Sequence, residues 1–266
     1  MAFTRDELLA TVELSPQAAG AHDRQGWVGL FAAGGQVEDP VGSRPHRGTA
    51  EIERFYDTFI APRDITFHRD VDIVSGSTVI RDLELEVAMS PSVTMRIPAY
   101  LRYVVSPVAD RAGIAALQAY WELPAMIGQF ARAGLGAVPV GIRLSAALLR
   151  NQGPAGTLGF AKGMRGAGRA GKRLVAGLLD DLCAGDAVAV QRRLGTDTVI
   201  RAGDDGPLST SGLVDRASGA SWRKLIASGS SVVAGLDRDG HRAVLIADLG
   251  RGARGLTRLR HYADET

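Results

Sequence analysis

The sequence predicts an α+β protein in which helices come first, a meandering sheet follows them, and the whole order occurs twice. Three observations carry that prediction. Apolar residues repeat at helical spacing through the first 60 residues, alternate with period two over residues 65–123, and return in a helix-then-strand order after residue 173. This is not the strand–helix alternation of a nucleotide-binding sheet.

Taken in order, Asp6 to Leu14 predicts a short amphipathic helix with Leu8, Leu9, Val12 and Leu14 on one broad face. Ser15-Pro16 reads as an N-cap followed by a first helical position, so a kinked or broken first helix is expected: a proline deep in a continuous helix loses a hydrogen bond and clashes with the turn behind it. "RQGWVGLFA" predicts another short helix with Trp27, Leu30 and Phe31 inward, and Val37 opens a short strand that stops at Asp39-Pro40. Thr49 reads as the cap of the next helix. Glu51 and Glu53 sit near its positive end, and Ile52, Phe55, Tyr56, Phe59 and Ile60 repeat at helical spacing. Strands are expected over 65–74, 77–89, 92–105 and 112–123; in the second, Leu83, Leu85, Val87 and Met89 alternate with Glu84 and Glu86.

From Pro124 the texture changes. Residues 123–179 hold eight basic side chains and no acidic one, against 11 basic and 17 acidic in residues 1–122. The expected organisation is a first unit over 1–123, a basic Gly/Ala-rich helical linker over 124–172, and a degenerate second copy over 173–266. "LVAGLLDDLCAGDAVAVQRRLGTDTVI" has the helix, turn, helix, strand order of the opening, and Asp239-Gly240 reads as a hairpin turn. The position answering to Asp39 falls close to Arg201, so the second copy carries no acid there.

Composition excludes several classes. A single cysteine, Cys183, allows neither an internal disulfide nor a thiolate metal cluster and suits a reducing cytoplasm. The N-terminus lacks the pattern of a secretory signal, and the longest uncharged stretches fall short of a membrane span. The expected location is cytoplasmic, with peripheral membrane contact through 124–172 as the alternative use of the basic segment. Nucleic acid is not expected, because the basic middle is nearly free of aromatic residues. His22, His46 and His68 show no ligand spacing and "GMRGAGRAG" lacks the marks of a phosphate loop, so neither metal nor cofactor is expected.

The run "VEDPVGS", followed by "GTAEIERFYD" and preceded in register by "GWVGLF", resembles the bacterial ketosteroid isomerases, members of the nuclear-transport-factor-2-like (SnoaL-like) cone fold, over residues 5–122. The resemblance implies a bent sheet enclosing a deep apolar cavity into which Asp39 projects. In that family an aspartate of modestly raised pKa moves a proton between two carbons, while a tyrosine and a protonated aspartate hold the developing oxyanion. Asp39 takes the place of the base and Ser15 that of the family's tyrosine. Counting from Pro98 puts Tyr100 at the second donor, whereas matching "LRY" to the family's aromatic-Arg-aromatic run puts Ala99 there. Alternation places Val93, Met95, Ile97, Ala99, Leu101 and Tyr103 on the apolar face. Tyr56 matches the tyrosine behind the oxyanion network and Trp121 a large cavity-lining aromatic. Trp27, Phe31, Phe55 and Phe59 are core by ordinary burial and cavity wall if the cone is open; Asp39, taken alone, is a turn-former.

The expected function is therefore binding of a steroid or similar apolar carbonyl compound, with Asp39 as the base of a steroid delta-isomerase. The alternatives are a non-catalytic carrier of a lipophilic ligand and a tandem scaffold at a membrane surface. A homodimer is compatible with each.

Overall fold

The computed structural model describes residues 3–90, 93–108, 111–132, 166–253 and 255–264. Most of the expected linker, residues 133–165, lies outside them.

The first helix, α1 (Arg5–Gly20), runs unbroken through Pro16. Thr4 starts it with a capping box: its hydroxyl accepts from the Glu7 amide while the Glu7 carboxylate takes the Thr4 amide. The expected break does not occur because Leu8, Val12, Ser15 and Ala19 form one buried stripe across the proline, and burial of that stripe outweighs the lost hydrogen bond. Asp23 caps α2 (Arg24–Gly29), which ends earlier than expected, so Phe31 opens the strand β1 (Phe31–Glu38) instead of closing a helix. After the short β2 (His46–Arg47) comes α3 (Gly48–Phe55), which continues as a π turn, Tyr56–Ile60. Its N-cap is Arg47, not Thr49: the Glu51 carboxylate accepts the Arg47 amide at 2.8 Å.

Four long strands follow, β3 (Asp64–Ser75), β4 (Thr78–Ser90), β5 (Val93–Val108) and β6 (Arg111–Tyr120). The sheet runs β2-β1-β6-β5-β4-β3, antiparallel except for the parallel β1–β6 pair. Helix α4 (Leu123–Arg132) returns onto β5, where Gln129 donates to the Arg96 carbonyl at 2.8 Å and accepts its amide at 3.3 Å.

The second unit repeats the order. Helices α5 (Gly168–Cys183), α6 (Ala187–Arg193) and α7 (Thr210–Ala217) accompany strands β7 (Val199–Ala202), β8 (Gly206–Pro207), β9 (Ser221–Ser228), β10 (Ser231–Arg238), β11 (His241–Leu249) and β12 (Leu256–Ala263). Their sheet order, β8-β7-β12-β11-β10-β9, is that of the first sheet, down to the parallel β7–β12 pair. Asp186 caps α6 as Asp23 caps α2. Strand β9 is the element the sequence concealed: Lys224 inside it takes a left-handed φ of 52°, and its pairing with β10 shifts register there.

The two sheets pack back to back. Ile73, Ile80, Tyr100 and Tyr120 from the first meet Ile226, Val233, Val244, Ile246 and Tyr262 from the second in one buried cluster. Charges are buried in the same layer and are paired. Asp204 accepts from Thr78, Arg102 and Tyr262, each at 2.5 Å, and Asp82 accepts from Lys224 and Arg242. Lys224 also donates to the Leu83 and Ala99 carbonyls. At one edge Gly42 touches Gly229 so closely that a Cβ on Gly42 would stand 2.4 Å from the Gly229 Cα, and both have positive φ; only glycine fits.

Candidate functional site

The concave face of the first sheet, closed by α1, α3 with its π turn, and α4, encloses a cavity of about 140 Å³. Its walls are almost wholly apolar because alternate residues of β4, β5 and β6 (Leu85, Val87, Met95, Ile97, Leu101, Leu117, Ala119) point to one side of the pleat. Trp27 and Phe55 close the buried end. Phe59, Ile65, Phe67, Met89 and Met126 are half-buried and form the outer rim.

Asp39 lies on this wall, immediately after β1. The parallel β1–β6 register pairs Glu38 with Gln118, and the chain then turns so that the Val41 amide reaches the Ala119 carbonyl at 2.8 Å. That fixes the Asp39 side chain on the inner face beside Trp121, whose indole N–H donates to Oδ1 at 2.5 Å. Among the described residues no cation pairs with Asp39, and it is the one acid among the residues lining the cavity. Burial pushes its carboxyl up to about 6, partly offset by the Trp121 hydrogen bond. A carboxylate of ordinary strength would be fully ionised at neutral pH; this one is poised to exchange its proton.

Ser15 and Tyr103 supply hydroxyls to the same cavity. The Trp27 indole donates to Ser15 Oγ at 3.2 Å, and the Ser15 hydroxyl stands near the Tyr103 phenol, whose ionised form it favours. An indole N–H can only donate, so Ser15 accepts there and keeps its own proton for another acceptor. The Tyr103 phenol is pushed up to about 12, chiefly by burial.

Of the residues expected from sequence, Asp39, Ser15, Trp27, Phe55, Phe59 and Trp121 line the cavity. Three do not. Tyr100 is corrected outright: it points from the opposite face of β5 into the layer between the sheets, and its hydroxyl donates to the Lys224 carbonyl at 3.3 Å. The alternation that puts Ala99 inside puts its neighbour outside. Tyr56 is buried but packs behind Trp27, with ring centroids 5.5 Å apart, and Phe31 lies on the far side of the same indole at 4.9 Å. Sequence reasoning passed over Tyr103 as a donor, although the period-two run from Ala99 through Leu101 leads directly to it. It also missed Arg63 at the rim, for which a lone charge in a loop gave no signal.

The second unit brings no carboxylate to the matching place. The hydrogen bond from the Gly203 amide to the His261 carbonyl repeats the one from Val41 to Ala119, which sets Gly203 at the place of Val41 and, two residues back, Arg201 at that of Asp39. Leu178, Leu182, Leu213, Leu245 and Leu259 pack the interior. Among the described residues no group of acids, histidines and cysteines could hold a metal ion, and no helix is long and apolar enough to cross a membrane.

Cone and cavity together define the first unit as an NTF2-like fold, and residues 7–128 match the family model of the nuclear transport factor 2 (NTF2) domain. Among solved structures, the chain is similar to a Mycobacterium tuberculosis protein crystallised with estradiol-17beta-hemisuccinate, at 24% identity, 44% of this chain, 95% of that one and a TM-score of 0.41. It is similar to the Delta 5-3-ketosteroid isomerase of a Mycobacterium species at 27% identity, with 45% and 96% covered and a TM-score of 0.41. It is also similar to a computationally designed 17-OHP binder at 23% identity, with 44% and 95% covered and a TM-score of 0.41.

Proposed function

We propose that the first unit binds a steroid or similar flat, apolar carbonyl compound and that Asp39 acts on it as a general base, shifting a double bond into conjugation. The observation that carries this reading is a single carboxyl on an apolar wall, raised to about 6 by burial and held by one indole N–H. A carboxylate there lifts a proton from the carbon between the carbonyl and the alkene, and the same oxygen returns it two carbons further along. The electrons move through an enolate, whose oxygen needs donors. Ser15 and Tyr103 are the hydroxyls available, in place of the family's tyrosine and protonated aspartate.

The test is conversion of a Δ5-3-ketosteroid to its conjugated isomer, followed by the rise in ultraviolet absorbance. Wild type is expected to convert it, Asp39→Asn to lose conversion while keeping its fold, and Tyr103→Phe to be slowed by about 10² or more. No conversion above buffer by wild type saturated with ligand would defeat the catalytic claim.

The carrier reading has its own support: Asp39 is the one acid in the cavity lining, so no second carboxyl stands there to help hold an enolate oxygen. On that reading the steroid binds without chemistry, and Asp39→Asn leaves affinity nearly unchanged. A cavity of about 140 Å³ is close to what accommodates a single aromatic ring. A four-ring ligand would extend past the rim or displace Met89 and Met126, which their flexible side chains permit.

A further inference from the structure

Arg63 is a cation placed among the rim residues of this cavity, and among the described residues no anion matches it. It follows the π turn and immediately precedes β3, the strand at the far edge of the sheet from β1. Its Nη1 donates to two backbone carbonyls, Thr58 at 2.8 Å and Phe59 at 2.7 Å. Those bonds anchor the side chain against the end of the helical segment and use only part of its five-donor fork. Among the described residues no carboxylate lies within ion-pair distance of it. Arg24, Arg44, Arg69, Arg81 and Arg96 of the same unit have acid partners, whereas Arg47 and Arg111, which also have no ion pair among the described residues, are not in the cavity lining. Asp39 does not serve. The two form no ion pair, and neither contributes to the other's shift. Burial with the Trp121 hydrogen bond accounts for the shift of one group, and burial alone for that of the other, which is pushed down to about 10.

A half-buried guanidinium left unpaired beside Phe59, Ile65 and Phe67 is poorly solvated and offers free N–H donors to whatever enters the rim. We propose that the ligand of this cavity is an amphipathic anion, an apolar body seated toward Asp39 with a carboxylate or sulfate at its outer end held by Arg63. This deepens the proposed function and rests on it, since it assumes that the apolar cavity takes a flat lipophile.

The test compares two molecules of the same shape, 3-oxo-4-androstene-17β-carboxylic acid and its methyl ester, by quenching of the fluorescence of Trp27 and Trp121 in the full chain. Wild type is expected to bind the acid about tenfold or more tighter than the ester, and added salt is expected to narrow the gap. In Arg63→Gln the ratio should fall to about one, while Arg63→Lys should keep part of it. Equal affinity of wild type for acid and ester, or an unchanged ratio in Arg63→Gln, would overturn the role of Arg63 and leave the apolar-ligand reading standing. Binding of neither compound would overturn both.

Discussion

At the scale of single residues, Asp39 sets function against stability. Its carboxyl titrates near 6 in the fold against an ordinary value near 4, so it contributes stability while protonated and loses that contribution as pH rises through 6. Asp39→Asn should therefore unfold at higher urea concentration than wild type at pH 8. The gain should reach at most about 3 kcal/mol and vanish by pH 4. Urea titrations of both proteins at the two pH values check this, and a variant less stable than wild type at pH 8 would contradict it. Asp39 was legible in the sequence because an acid before a proline at the end of a short strand sits inside a longer motif, and Ser15 and Trp121 came with it by counting. Tyr103 and Arg63 were not singled out. The first looked like one more member of an apolar face. The second acquires meaning only once the π turn has placed it at the rim and its neighbours have used up the nearby acids.

At the scale of elements, the sequence read best where one period ran long. The strands β3 to β6 fell within a few residues of expectation because their inner face is repeatedly branched and aliphatic. It read worst where tertiary burial overrides local rules. Pro16 looks like a break, yet α1 carries it because Leu8, Val12, Ser15 and Ala19 share a buried stripe. The local cost remains, so Pro16→Ala should stabilise the protein by about 1–3 kcal/mol. A lower urea midpoint for the variant would contradict that cost. The second unit's β9 was missed because a charged residue with left-handed backbone interrupts its alternation. Lys224 is there to reach Asp82 and two carbonyls of the other sheet, a requirement invisible along the chain.

At the scale of the whole molecule, the repeated order of elements was legible, but the way the copies meet was not. Arg102, Asp82 and Asp204 look like solvated charges in sequence, and all lie in the layer between the sheets. The carboxyl of Asp82 is driven up by burial even against Lys224, whereas that of Asp204 is held below its ordinary value because Arg102 and three hydrogen bonds outweigh its burial. Such a layer, with ten buried apolar residues beside its paired charges, makes each sheet part of the other's interior. Both units should thus unfold in one cooperative transition, and Lys224→Met, which leaves Asp82 with Arg242 as its remaining cation, should lower the stability of the whole by about 2–4 kcal/mol. Two separated transitions by calorimetry, with only the second moved by the variant, would contradict that coupling.

The most direct measurement is a titration of the Asp39 carboxyl itself by carbon NMR of protein labelled at aspartate, with Asp39→Asn identifying the resonance. A midpoint near 6 is expected. A midpoint at or below 4 would place the group in water and remove the base from the cavity.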